Sequence, residues 1–576
     1  MSGVMPLVLI SPPHCGEARL AGMLRDNGLP VACHEGGALA EDIVFAQATG
    51  TAPLTGWRDA RLIAGLYRDA PPWRVPLEAW RCFAFLDRHL PDALIELAQR
   101  DPDAWLLDRL LHDDGRAARS YAHHHAIPVA DVPERWLADW DRHQADVLNH
   151  FGGSDRLLRL DLGAETPLDV FHRLRQHIPL SRAPDGGGWH GDPGPNAAAR
   201  LDAILDGDAP DPPPDTDRAA REIADFCLRG IRPGSGRVAG VSQYYVEWDG
   251  RDGFADRHGD PAPHARAVLP GSARPVTVTA PRAPFKRTRC EGVLNAALAH
   301  GHATPLRVDL EDSRWIGSPH APTPPRPVIC HNRRKGAANV VLWPLPGLHD
   351  PGGQGFDATL TDPIPFQDKL DRVWWRGMIS GHLVTGAERP GPPSFRFLAD
   401  LDRAGTDPAL REKAWEGLSR TSRLAFVREY FDHPDFDLGV VMAWAFRHHA
   451  RDPLLAPYCK PRAGRGQMLR YRYQLYMAGY DHGSNFIPAI NSGSVLLKEE
   501  DGWEVFCSDR FKPWKHYIPL ERYCADILEK LAWARKNPSK CKEMSEAARS
   551  EVALLSDPAL RRRTLGLILD QLARSG

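Results

Sequence analysis

The sequence predicts an α/β protein. Apolar runs of strand length alternate with helical stretches, Gly- and Pro-bearing turns punctuate them, and no internal repeat breaks the alternation. At 576 residues the chain exceeds what one hydrophobic core holds, so several domains are expected. Lys plus Arg number 72 against 74 Asp plus Glu, which builds no field for a polyanion and argues against a nucleic-acid partner. No apolar run reaches the roughly 18 residues of a transmembrane helix.

The elements follow in order. Met1 to Ile10 shows no basic n-region and reads as a first strand, so a cytoplasmic chain is the expectation. Two Gly-, Pro- and Asp-rich stretches, Pro184 to Asn196 and Asp206 to Asp217, bracket a short helix and read as a linker. The expected division is residues 1–183, a linker over 184–217, and then 218–364 and 365–576. After the linker come a helix from Arg218 to Arg229 and a strand from Ser242 to Trp248. A helix near Glu291 to His300 and strands near Leu306 to Leu310, Val328 to Cys330 and Asn339 to Trp343 follow. The tail is helical: Glu521 to Lys536, a helix opened by Pro538, and one capped by Asp557 with Pro558 behind it.

Ten scattered cysteines have no metal-clip spacing; Cys507, Cys524 and Cys541 stand 17 residues apart, too wide for a zinc ribbon. Reduced thiols are the expectation. His123 to His125 and the pair His448-His449 read as solvated polar segments, because adjacent positions do not share a helix or strand face. No metal site is expected. The Asp-x-Asp pairs at Asp101/Asp103, Asp139/Asp141, Asp400/Asp402 and Asp435/Asp437 are those an Asp-rich chain carries by chance, with none expected after a buried strand.

Leu469 to Leu520 is the most informative segment. Leu469, Tyr471, Tyr473 and Leu475 alternate with Arg470, Arg472, Gln474 and Tyr476, as in a strand with one drier face. Gly479 breaks the pattern, Ser484 and Asn485 are N-cap residues for a helix over Phe486 to Ile490, and Ser494 to Leu497 returns as a buried strand. Such a turn brings backbone N–H groups and a helix start to the strand end, where phosphates bind. Read alone it is also an ordinary capped turn.

The ordered set Gly479, Ser484, Asn485, Ser492, Gly493, Ser494, Trp503-Glu504 and Pro513 to Pro519 resembles glycosyltransferase family 90. Upstream, Trp375-Arg376-Gly377, Arg289 to Gly292 and Val308 to Asp312 are similar to that family's motifs. The resemblance covers about Gln243 to Leu531. It implies a GT-B pair of Rossmann-like lobes, with acceptor on the first and donor nucleotide on the second. It further implies an inverting, metal-independent bacterial-type transferase with no cofactor beyond its nucleotide-sugar substrate. A UDP-sugar donor and a glycan or lipid-linked glycan acceptor, such as lipopolysaccharide core or capsule, follow, with at most peripheral contact with the inner membrane. The donor-binding residues implied are Arg376, Gly377, Gly483, Ser484, Asn485, Ser494 and Tyr517. The family's animal enzymes carry an Asp before their Arg-Cys pair; Ala280 to Arg287 holds no carboxylate, which leaves Asp309 and Asp312 as candidate bases, with Glu247 and Asp249 behind them.

The first domain resembles a P-loop sulfotransferase fold: Val8 to Ile10, a turn to Glu17 and a helix, then Ala93 to Leu97 with Arg100-Asp101-Pro102. Where that family presents a basic residue and hydroxyls to phosphate, this chain has His14, Glu17 and Ala18, and Asp108 stands in place of a Ser. Carboxylates repel a dianion, so loss of the sulfate-donor cofactor is expected. A catalytically silent binding scaffold is the alternative function, and sulfate transfer a further one.

Overall fold

The computed structural model describes residues 5–69, 73–190, 194, 196–206, 216–272, 274–353, 355–385 and 391–575. Residues 191–193 and 195 of the first linker stretch, 207–215 of the second, and the first four residues of the expected first strand therefore lie outside the described residues. The protein is α/β with several parallel sheets. It forms two compact units, one of residues 1–210 and 248–303, the other of residues 211–247 and 304–576.

The first unit is built on a five-stranded parallel sheet in the order Val31–Cys33, Leu62–Ala64, Leu7–Leu9, Leu94–Gln99, Leu157–Asp161. Its apolar residues serve both faces: Val8, Ile63, Ile95 and Leu97 pack in one core, Leu7, Leu9, Leu62, Leu94 and Ala98 in another. That explains why the strands read as continuous apolar runs. The hairpin of His264–Val268 with Pro275–Thr279 adds Ala265, Ala267, Val276 and Val278 to the first core. Helix Phe285–Ala299 joins this unit through Glu291, whose carboxylate takes a forked pair of bonds from Arg74 at 2.9 and 3.0 Å.

At the carboxyl end of Leu7–Leu9 the chain turns into helix Glu17–Asp26, with His14 at φ 66° and Gly16 at φ 80°. The amides this turn exposes are filled from within, since Glu17 accepts from the His14 N–H at 3.0 Å and the Cys15 N–H at 2.9 Å. Arg100 donates to Asp108 at 2.9 Å. Asp101 follows the buried strand Leu94–Gln99, contrary to expectation, and there it caps helix Pro102–Leu111.

In the second unit, parallel strands Val340–Leu342, Val328–Cys330 and Leu306–Val308 lie side by side, with Val246 and Glu247 of a further strand beyond. A five-stranded parallel sheet follows in the order Phe436–Val440, Leu370–Gly377, Tyr471–Tyr476, Val495–Glu499, Ile518–Leu520. Tyr471–Tyr476 is central, so Gln474 and Tyr476 are 1% and 0% exposed, and of the expected wetter face Arg470 and Arg472 keep exposure. Helix Thr216–Cys227 lies in the same unit, and the antiparallel pair Arg333–Arg334 with Trp503–Glu504 ties the two sheets together. The tail helices are Ile527–Lys536, Pro538–Leu555 and Pro558–Ser575. Asp557 caps the last, accepting from the N–H groups of Ala559 and Leu560. Among the described residues no helix is long and apolar enough to cross a membrane.

Candidate functional site

In the five-stranded sheet of the second unit, the strand order reverses between Leu370–Gly377 and Tyr471–Tyr476. Chains leaving neighbouring strands there depart to opposite faces and open a crevice at the carboxyl ends. An open cleft, about 440 Å³ when the solvent at its mouth is counted, lies at that edge. Ala478, Gly479 and Tyr480 line it after one strand, Glu499, Asp501 and Trp503 after the next, and Arg522 and Tyr523 after the last, with Trp315, Arg334, His382 and Ser422 completing it.

Its walls are fixed by buried polar bonds. Glu499 accepts from the N–H groups of Ala478 and Tyr523, each at 2.8 Å, and burial holds its pKa above the ordinary carboxylate range. Asp501 accepts from the Tyr476 hydroxyl at 2.9 Å and the Trp503 N–H at 2.8 Å. Arg423, buried beneath the floor, donates to the carbonyls of Met378, Met477 and Ala478 and to Ser380 Oγ, stitching the two strand ends together. Tyr480 exchanges a hydrogen bond with Ser394 Oγ at 2.8 Å. Two guanidinium groups reach the rim. Arg334 sits 4.9 and 5.1 Å from the rings of Trp315 and Trp503, and Arg522 is exposed.

Beside the cavity Asp481 Oδ2 accepts from the Ser313 N–H and from Asn332 Nδ2, both at 2.9 Å. His331 Nε2 lies 3.7 Å from that oxygen and 3.9 Å from Asp312 Oδ1. Asp312, His331 and Asp481 bring their ligand atoms within 4.8 Å of one another, an arrangement able to receive a cation.

Most residues expected from sequence hold structural posts instead. Asp309 is fully buried, and its oxygens accept from the Ser242 N–H and hydroxyl at 2.7 Å each, with Arg314 at 3.3 Å. Its neighbour Asp312 is half-exposed. Arg376 points to the sheet face away from Trp375 and donates to the Trp375 and Asp437 carbonyls and to Asp437 Oδ1. Gly377 leaves room for the Trp375 indole, which would lie 2.7 Å from a Cβ there. The Gly483 N–H donates to the Tyr476 hydroxyl at 2.8 Å. Ser484 is exposed, and Asn485, though at the N-cap position of Phe486–Ile490, makes no side-chain cap bond. Ser494 Oγ donates to the Tyr471 carbonyl at 2.7 Å, and the Tyr517 hydroxyl to Glu500 at 2.8 Å. None of these lines the cavity. Sequence reasoning missed Arg522, Glu499 and Asp501, although each stands just past a readable strand; His382 and Arg423 carried no sequence signal.

Comparison with known proteins bears on the same region. Residues 462–554 match Glycosyl transferase family 90. Protein O-glucosyltransferase 3 of Mus musculus is 27% identical over 129 residues, 22% of this chain and 25% of its own length. Uncharacterized protein 035R of Invertebrate iridescent virus 3 is 30% identical over 86 residues, 14% of this chain and 8% of its own. The chain thus spans about a quarter or less of the length of these relatives. A solved glycosyltransferase from Rickettsia africae ESF-5 aligns over 43% of this chain and 63% of that one at TM-score 0.23 and 9% identity, a likeness too low to carry an argument. The family match and the relatives support glycosyl transfer at the level of the family. The segment 462–554, which includes the cavity walls from Ala478 to Tyr523, thus matches glycosyl transferase family 90, the family its sequence resembles.

Proposed function

We propose that this protein transfers a sugar from a nucleoside diphosphate donor to a glycan hydroxyl with inversion at the anomeric carbon. The observation that carries the reading is the cavity at the carboxyl edge of the parallel sheet, walled from Ala478 to Tyr523 by the family-matching segment, with Arg334 and Arg522 at its rim. In this reading Arg522 and Arg334 take the diphosphate in place of Arg376, and Tyr523, Trp503 and Trp315 offer stacking faces. Asp312 is the base, chosen over Asp309 because it is half-exposed and Asp309 is saturated. The acceptor oxygen bonds to the anomeric carbon as the bond to phosphate breaks; the hydroxyl proton passes to Asp312, and the electron pair leaves with the diphosphate.

The uridine nucleotide is the first donor to test, with lipopolysaccharide core or capsular glycan as acceptor class. Two Rossmann-like lobes of GT-B type, a sulfotransferase-like first domain and a cytoplasmic setting belong to the same proposal; ten free cysteines fit a reducing compartment. Within the first domain Glu17 and Asp108 support loss of anion binding. Uridine diphosphate should raise the melting temperature of the protein, and Arg522→Ala should remove that rise while leaving the unliganded melting temperature in place. Absence of any shift with uridine or guanosine diphosphate overturns the reading.

A further inference from the structure

Away from that cavity, one group of side chains has no part in the proposed transfer. Helix Ser394–Ala404 carries Asp402, and the 3₁₀ segment Trp444–Arg451, which follows strand Phe436–Val440, carries His448 and His449. Adjacent residues were expected to diverge. They converge because the third partner arrives from another element: Asp402 Oδ1 lies 2.6 Å from His448 Nε2 and 3.2 Å from His449 Nε2. The two imidazoles stand with centroids 4.2 Å apart.

The two histidines differ in a way that points to a ligand. His448 is exposed and makes an ordinary hydrogen bond to Asp402. His449 is 3% exposed, yet its Nε2 has no hydrogen-bond partner among the described residues; the 3.2 Å approach to Asp402 lacks the direction a hydrogen bond requires. A buried imidazole nitrogen left in that state carries an uncompensated desolvation cost unless something occupies it.

We propose that Asp402, His448 and His449 bind one divalent transition ion of the zinc class. Two imidazole nitrogens and one carboxylate oxygen are a borderline donor set, suited to zinc and its first-row neighbours and not to magnesium or calcium, which take oxygen. Tetrahedral ligands about 2.0–2.1 Å from zinc sit roughly 3.3 Å apart, so the observed spacings need little adjustment, and water takes the fourth position. The Phe446 ring stacked 6.1 Å from His449 dries one side of the site. Bound there, the ion would fasten helix Ser394–Ala404 to the segment that follows Phe436–Val440. Ser394, at the start of that helix, holds the cavity residue Tyr480.

The test titrates cobalt(II) chloride into the chelator-washed full-length protein and reads visible absorption. One equivalent should produce the intense band of tetrahedral cobalt, and zinc sulfate should displace it. His448→Gln and Asp402→Asn, both at partly exposed positions, should abolish the band without lowering the metal-free melting temperature. Asp312→Asn should leave it intact, which separates this site from the Asp312–His331–Asp481 cluster and from any sugar transfer. In the unaltered protein, zinc should protect His448 from carbethoxylation, read by mass spectrometry, so the test survives a variant that fails to fold. No band, a band that persists in Asp402→Asn, a band lost in Asp312→Asn, or no protection of His448 overturns the proposal.

Discussion

Replacing Glu291 with Gln probes how helix Phe285–Ala299 is held. The carboxylate is fully buried, takes the forked bonds from Arg74, accepts from the Thr279 N–H at 2.8 Å and lies 3.6 Å from Arg68. Burial pushes its pKa up, but Arg68 and Arg74 outweigh burial and hold it at about 2, against an ordinary 4.5. That depression corresponds to about 3 kcal/mol. In Glu291→Gln the two guanidinium groups keep Glu41 as their carboxylate partner among the described residues, at 2.8 Å from Arg68 and 3.0 Å from Arg74, and Arg68 keeps the Val75 carbonyl. Breaking one side of a buried pair costs about 3–5 kcal/mol, in line with the electrostatic figure. The variant should melt roughly 6–12 °C lower, for a unit of this size. Because the folded pKa is depressed, the contribution is complete above about pH 4.5 and is lost as pH falls toward about 2. Denaturant unfolding at neutral and acid pH reads both effects. A loss under about 1 kcal/mol at neutral pH, or parallel acid denaturation of parent and variant, refutes the reasoning.

Arg376→Ala should destabilise the second unit by about 2–3 kcal/mol, since it strips Asp437 of its guanidinium and leaves Lys460 at 2.8 Å and the Tyr471 hydroxyl. Its uridine diphosphate shift should persist; loss of that shift at unchanged stability would return Arg376 to the donor site. Glu96 is fully buried with one oxygen lacking a hydrogen-bond partner among the described residues, and burial lifts its pKa to about 8. A raised carboxyl pKa means the fold binds the proton, so stability declines as pH climbs from about 4.5 through about 8, by on the order of 5 kcal/mol. Glu96→Gln should flatten that decline in chemical denaturation; a parent protein as stable at about pH 9 as at about pH 6 contradicts it.

Local signals were legible and long-range ones were not. The helix Phe486–Ile490 and the strand Val328–Cys330 fall where capping residues and a short apolar run place them. Capping logic does not foresee that Asn485 makes no side-chain cap bond or that the Gly483 amide is taken by the Tyr476 hydroxyl, seven residues back. Asp309 has the look of a base at a strand end, and only the fold reveals Ser242 closing over it. Helix Phe285–Ala299 was legible as a helix, but nothing local reports that Arg68 and Arg74, more than 200 residues earlier, would claim its Glu291. His448 and His449 were dismissed on helical spacing, an argument blind to an Asp supplied from a different element.

The turn after Leu7–Leu9 carries a consequence for any search for ligands of the first unit. Its amides already hold a carboxylate, and Glu17 is tethered within three residues of both donors. A tethered group competes at the effective concentration of a short chain, which is in the millimolar range or above. A free phosphate at ordinary cellular levels must therefore displace an intramolecular rival that never diffuses away. The turn is closed to an outside anion by its own carboxylate, and shortening Glu17 to Asp would weaken that closure without altering a single amide.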